Sequence, residues 1–187
     1  MIKRIFDIIL AISLLIALVI PMGIIGLIIM ITSSGGALHW SKRVGKDKVI
    51  FLMPKFRTLR SNTPQLATHL LEDPEKYYTP IGKFLRKSSL DELPQLWSIL
   101  IGNMSFVGPR PALYNQDDLI SLRQDSGINS LIPGLTGWAQ INGRDEVSIE
   151  EKVKLDLIYL KKASISFDII IMLKTLLKAI KLEEVNH

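Results

Sequence analysis

The sequence predicts a mainly α protein with a small β-hairpin, tethered by an N-terminal helix that lies in a membrane. Three observations carry this. Residues Ile8 to Ile31 contain no charged side chain, which covers the roughly 20 apolar residues a helix needs to cross a bilayer core. Alternating runs at 49–51 and 55–58, beside Gly45-Lys46-Asp47-Lys48, read as a hairpin or extended pair. Beyond residue 79, caps, glycines and prolines divide helix-length segments.

The N-terminal run is too long for a cleaved signal peptide, whose apolar region is about 7–15 residues. Basic residues flank both of its ends, Lys3 and Arg4 before it and Lys42, Arg43 and Lys46 after it, and such flanks resist translocation. Pro21, with Gly23 and Gly26 close by, removes a backbone hydrogen bond and favours a kink. A kinked spanning helix and a helix that breaks at Pro21 and re-enters both satisfy these features.

Composition narrows the remaining classes. Hydrophobic residues make up 48% of the chain and yet the formal net charge is +5, a pairing that suits a membrane-associated protein with a basic surface. Zero cysteines and three scattered histidines exclude a disulfide framework and thiolate metal sites and leave little for histidine-bound zinc. No helix-turn-helix or zinc-finger spacing is present, so phospholipid and phosphorylated substrates explain the charge better than nucleic acid does.

Element by element, residues 64–76 read as a short polar helix. Thr79-Pro80 reads as an N-cap with proline at the first helical position, opening a helix through Lys83, Arg86 and Lys87. Ser89-Leu90-Asp91-Glu92 has the form of a capping box before the apolar run Leu93 to Ile101, which Gly102 closes. Residues 103–111 and 133–144 read as loops, with no strand expected after the hairpin. Ser148-x-x-Glu151 caps a helix to about Lys162, and Phe167 to Leu182 forms a last helix with Lys174, Lys178 and Lys181 beside an apolar body, an interfacial pattern. Lys152, Asp156 and Tyr159 share one face of the preceding helix, suited to a salt bridge or to a ligand.

Three segments have the residue types for chemistry. Asp91-Glu92 follows the cations Lys83, Arg86 and Lys87 and precedes a helix. The pair either complements the helix dipole or supplies an ionised carboxylate that attacks phosphorus, and a shared metal is compatible with both. In Gly108-Pro109-Arg110-Pro111 the prolines stiffen the backbone around one guanidinium that can fork onto a phosphate. The stretch Pro133-Gly134-Leu135-Thr136-Gly137-Trp138-Ala139-Gln140-Ile141-Asn142-Gly143-Arg144 combines glycines, an aromatic, the carboxamide of Gln140 and Arg144, which suits a nucleotide phosphate.

Together, Lys55-Phe56-Arg57-Thr58, Gly82 to Leu96, Val107 to Pro111 and Pro133 to Arg144 closely resemble the bacterial sugar transferase family, the small monotopic phosphoglycosyl transferases. The resemblance runs from the hydrophobic segment to the last helix. It implies a re-entrant membrane helix over residues 1–34 and a compact catalytic domain over 35–187 with interfacial amphipathic helices, on the cytoplasmic face of the bacterial inner membrane. It also implies transfer of a phosphosugar from a UDP-sugar to polyprenol (undecaprenyl) phosphate through a covalent aspartyl intermediate, with release of UMP and dependence on Mg2+. By position Asp91 matches the nucleophile and Glu92 its partner, the two carboxylates being the expected metal ligands. Lys55, Arg86 and Arg110 match basic positions suited to the diphosphate. Arg57, Gln140, Arg144, Asp156 and Asp168 complete the expected substrate-binding set. One departure is Ile20-Pro21, where the family often has Ser-Pro. The chain corresponds to the catalytic module without the extra membrane helices of larger members. A membrane-anchored nucleotide-sugar-binding scaffold that does no chemistry is the alternative, and the intact Asp91-Glu92 pair argues against it.

Overall fold

The computed structural model describes residues 2–61, 63, 73–143 and 147–184. Helix α1 (Ile2–Thr32) is apolar around its whole circumference and runs unbroken through Pro21. The expected break is therefore a lost rung: Pro21 has no N–H to give the carbonyl of Ala17. One stripe of α1 faces the protein. Ala11, Gly26 and Ile29 are buried there, Leu10, Leu14, Leu15 and Leu18 pack on the main core, and Met22 and Ile25 pack on a second cluster around Phe56 and Leu85. The other faces, from Ile2 and Ile16 to Leu27 and Ile31, are exposed. A bare apolar surface of this length fits a helix that is solvated by lipid.

Both ends of α1 are fixed to the same body. Lys3 pairs with Asp168, and Arg4 donates to the carbonyls of Ile99 at 2.5 Å and Leu100 at 2.7 Å. Asp7, buried in the helix, accepts from the Phe106 amide at 3.3 Å. At the far end Ile29 is buried in the cluster with Phe56 and Leu85.

Strands β1 (Leu38–Val44) and β2 (Ile50–Phe56) form an antiparallel hairpin in which His39 opposes Lys55 and Arg43 opposes Phe51. The two runs expected to pair with each other are thus one strand, and its partner is the segment before the turn. Asp47 and Lys48 have left-handed backbone angles, and the Gly45 amide closes the turn onto the Val49 carbonyl at 2.8 Å. One hairpin face inserts Phe51 and Met53 into the core, while Trp40, Ile50 and Leu52 on the other stay exposed.

Helix α2 (Gly82–Lys87) lacks a side-chain N-cap; Thr79 instead lies on the Thr58 carbonyl at 3.4 Å. Most of the polar helix expected over 64–76 falls outside the described residues, its end being a 3₁₀ turn at Pro74–Tyr77. The capping box does not form. Ser89 is left-handed, φ 58°, and caps nothing; Leu90–Glu92 is a 3₁₀ turn, and α3 (Gln95–Ile101) begins later. A non-glycine residue at positive φ is uncommon, and here it turns the chain sharply just before Asp91. Gly102 ends α3 at φ 94°, as expected.

The two stretches expected as loops hold a second sheet. Strand β3 (Ser105–Val107) pairs in parallel with β4 (Gly134–Thr136). A Cβ on Gly108 would fall on the Ile132 carbonyl, and one on Gly134 would fall on the Gly108 amide, so glycine is needed at both for the backbones to meet. Sequence reading missed this pairing because strands of three residues leave too little alternation to detect. Helices α4 (Asp117–Asp125), α5 (Trp138–Asn142), α6 (Ile149–Lys162) and α7 (Ile165–Glu184) complete the fold. Ser148 caps α6 by accepting from the Glu151 amide at 3.2 Å. Helix α7 leaves Leu173, Leu176 and Leu177 exposed, while Lys178 reaches the Ile141 carbonyl and Lys174 lies over the Trp138 ring at 5.2 Å. These two lysines therefore hold α5 in addition to flanking an apolar face.

Candidate active site

The 3₁₀ turn after Ser89 sets Asp91 and Glu92 against β2. Lys55 Nζ donates to Glu92 Oε1 at 2.6 Å and stands 4.0 Å from Asp91 Oδ2. Arg110, on the Gly-Pro-Arg-Pro segment, donates to the same Glu92 oxygen at 3.1 Å. Lys55, Arg110, Asp91 and Glu92 thus meet in one place, as the sequence motifs suggested.

The two carboxyls titrate in opposite directions. Burial alone would raise Glu92, but Arg110 and Lys55 outweigh it and hold it at about 2. Burial raises Asp91, opposed by Lys55, reinforced by Glu92, and opposed again by Arg86 and Arg110. Asp91 sits outside the first turn of α3, and desolvation is the larger effect on it. The result is a poorly hydrated carboxylate beside a partner that is firmly ionised.

Arg86 is held by the Thr58 hydroxyl at 2.9 Å and lies 5.6 Å over the Tyr78 ring. Arg57 donates to Ser61 at 2.7 Å and reaches the Leu38 carbonyl at 3.5 Å, joining the start of β1 to the chain after β2. Both Gln140 amide atoms are buried without a hydrogen-bond partner among the described residues. Arg144 lies outside the described residues.

Asp156 and Asp168 are placed elsewhere. Asp156 pairs with Arg123 at 2.7 Å, both buried, and Arg123 also donates to the Arg110 backbone carbonyl at 2.8 Å. Asp156 therefore braces the Arg110 loop from behind. Asp168 lies between Lys3 and the Tyr159 hydroxyl, 2.7 Å away, and that hydroxyl is also 3.1 Å from the Val107 carbonyl. The shared helical face of Asp156 and Tyr159 holds a salt bridge and hydrogen bonds inside the protein.

Sequence reading also missed two residues. Arg43, read as a membrane flank, reaches the Pro111 carbonyl at 3.2 Å; burial and Arg110 lower it to about 10 against the pull of Glu92. His39 shares the Lys55 face of the hairpin. Strand alternation would have found both, but only with the hairpin register in hand.

An apolar groove of about 340 Å³ runs between α1 (Leu15, Met22), the hairpin (Trp40, Pro54) and Pro94 and Trp97. Its hairpin residues Leu38, Trp40, Pro54 and Phe56 share one face of the strands, opposite to the face that carries His39 and Lys55.

Comparison with known proteins decides the family. The profile for bacterial sugar transferases matches residues 1–182. The chain belongs to the bacterial sugar transferase family. Among relatives in this family, a UDP-galactose-lipid carrier transferase of Erwinia amylovora is 38% identical over 93% of this chain and 39% of its own length. A UDP-glucose:undecaprenyl-phosphate glucose-1-phosphate transferase of Escherichia coli is 36% identical over 95% of this chain and 40% of its own. The exopolysaccharide production protein ExoY of Sinorhizobium fredii is 36% identical over 93% of this chain and 83% of its own. The chain thus spans about two fifths of the first two bacterial sugar transferases and most of the third.

Proposed function

We propose that the protein moves a sugar phosphate from a UDP-sugar to polyprenol phosphate, with Asp91 as the nucleophile. The observation that carries this reading is a buried Asp91, flanked by Lys55 and by a Glu92 that Lys55 and Arg110 clamp. A diphosphate suits the cations, and a prenyl chain suits the groove.

In the first step an Asp91 carboxylate oxygen attacks the sugar-bearing phosphorus of the donor. The bond from that phosphorus to the bridging oxygen breaks, and UMP leaves with the electron pair. In the second step a phosphate oxygen of the polyprenol phosphate attacks the same phosphorus and releases the Asp91 carboxylate. Burial leaves Asp91 with little water to shed, while Lys55, Arg86 and Arg110 supply positive charge for the phosphoryl oxygens. Glu92 fixes Lys55 and Arg110 through one carboxylate oxygen, holding both cations beside the nucleophile.

Two carboxylates fit Mg2+, which commonly takes one or two carboxylates together with substrate phosphates. Glu92 gives one oxygen to Lys55 and Arg110; its second oxygen and Asp91 are the groups that would hold the ion. Bound there, Mg2+ would neutralise phosphate charge in the way phosphoryl transfer generally requires.

The setting is a bacterial inner membrane with the site on the cytoplasmic face. Support comes from α1, which is exposed and apolar along one side yet fixed to the same body at Lys3, Arg4 and Ile29. A helix held to one body near both ends keeps both basic flanks on the side of that body, although α1 does not break at Pro21. Incubating the purified protein with a panel of UDP-sugars, polyprenol phosphate and Mg2+, and measuring UMP release, tests the reading; no release with any donor contradicts it.

A further inference from the structure

His39 has no evident structural task. It is exposed on β1, and its ring makes no side-chain hydrogen bond among the described residues. Its cross-strand neighbour is Lys55; residues directly opposite in an antiparallel pair have Cβ atoms about 4.5–5.5 Å apart on the same face. The groups whose charge it feels are Arg57, Arg43, Lys55 and Arg86, from both strands, the segment after β2, and α2, and none is acidic. Asp91 and Glu92 lie on Lys55, the cross-strand neighbour of His39.

An imidazole gains nothing from folding into such company. Partial burial and then the four cations push its pKa below the usual 6.5, so it is largely neutral at pH 7. A polyanion placed among those cations reverses the field: the charged imidazole gains a partner, and its N–H meets a phosphate oxygen.

We propose that His39 is a substrate-binding residue whose imidazolium donates to a phosphate oxygen of the donor's diphosphate, so that donor binding takes up a proton. The inference rests on the nucleotide-sugar reading above and assigns a contact at the same site. The sign follows from the two states. The contribution of His39 to affinity is fully present below the pKa of the ligand-free imidazole and is lost as pH rises through the higher pKa of the bound one.

The test is calorimetric titration of the wild-type protein and His39→Gln with UDP and Mg2+ in buffers of different ionisation enthalpy, from pH 6 to 8. UDP's own ionisation is common to both proteins and cancels in the difference. The expected result is greater proton uptake by wild type, and a His39→Gln affinity about tenfold weaker at pH 6, the share of one charge-assisted hydrogen bond, converging on wild type at pH 8. Equal proton uptake by the two proteins, with UDP bound tightly by both, would overturn the role of His39 alone. No UDP binding by wild type would overturn the nucleotide-sugar reading with it. A parallel titration with a short-chain polyprenyl phosphate separates the two sources of phosphate: a wild-type excess of proton uptake confined to that ligand would move His39 to the acceptor and contradict its assignment to the donor. An unchanged melting temperature for His39→Gln is the expected folding control at this exposed position.

Discussion

Lys55 ion-pairs with Glu92 at 2.6 Å and stops 4.0 Å short of Asp91. Glu92, also gripped by Arg110, thus keeps the lysine close enough to stabilise charge on Asp91 without a short ion pair to it. Lys55 lowers the Asp91 pKa and Glu92 raises it, so removing them should shift the acid limb of the pH–rate profile in opposite directions. The active form is the carboxylate, and the rate falls as pH drops through the Asp91 pKa. Lys55→Met should move that limb to higher pH and Glu92→Gln to lower pH, both with reduced kcat, as read from UMP release between pH 4 and 8.

Asp91 burial has a cost in stability. Because its folded pKa is raised, the stability linked to its proton is present at low pH and lost as pH rises through the folded value. Asp91→Asn should therefore abolish turnover while raising the melting temperature at pH 7 by about 2 °C, a trade seen where function requires an unfavourable group. Thermal denaturation of the two proteins checks it; a lower melting temperature for the variant would mean that Lys55 and Arg86 outweigh burial.

Asp156→Ala should act through folding. It leaves Arg123 buried and unpaired, a loss of about 3–5 kcal/mol for a broken buried pair, and it loosens the grip of Arg123 on the Arg110 carbonyl. The expected result in chemical denaturation is a large fall in midpoint. A stable variant with a raised KM for the UDP-sugar would instead assign Asp156 to the substrate.

The chain has no cysteine, so single substitutions report topology cleanly. Ile2→Cys and Lys46→Cys, the first at an exposed position that leaves the Lys3–Asp168 pair intact, should both react with a membrane-impermeant maleimide from the cytoplasmic side. Labelling of Ile2→Cys from the opposite side would establish a spanning helix.

The long motifs were legible in the sequence because their chemistry is local: Asp91-Glu92, Arg110 between its prolines, and the Lys55 segment all converge as read. What stayed hidden depends on pairing at a distance. Three-residue strands such as β3 carry no usable periodicity, yet β3 joins the Arg110 segment to the stretch bearing Gln140. Asp156 and Asp168 were expected in the substrate-binding set, but their burial against Arg123, Lys3 and Tyr159 emerges only when α4, α6, α1 and α7 are packed together. The capping box failed for a local reason: Ser89 takes a left-handed conformation, which propensity reasoning assigns to glycine or asparagine.

The covalent step is tested most directly by intact-protein and peptide mass spectrometry after incubation with each UDP-sugar and Mg2+ in the absence of polyprenol phosphate. The expected result is a stoichiometric burst of UMP with one of the donors and a phosphosugar mass increase on the peptide containing Asp91, absent from Asp91→Asn and discharged when polyprenol phosphate is added. UMP release that requires polyprenol phosphate from the outset, with no adduct on that peptide, would contradict it.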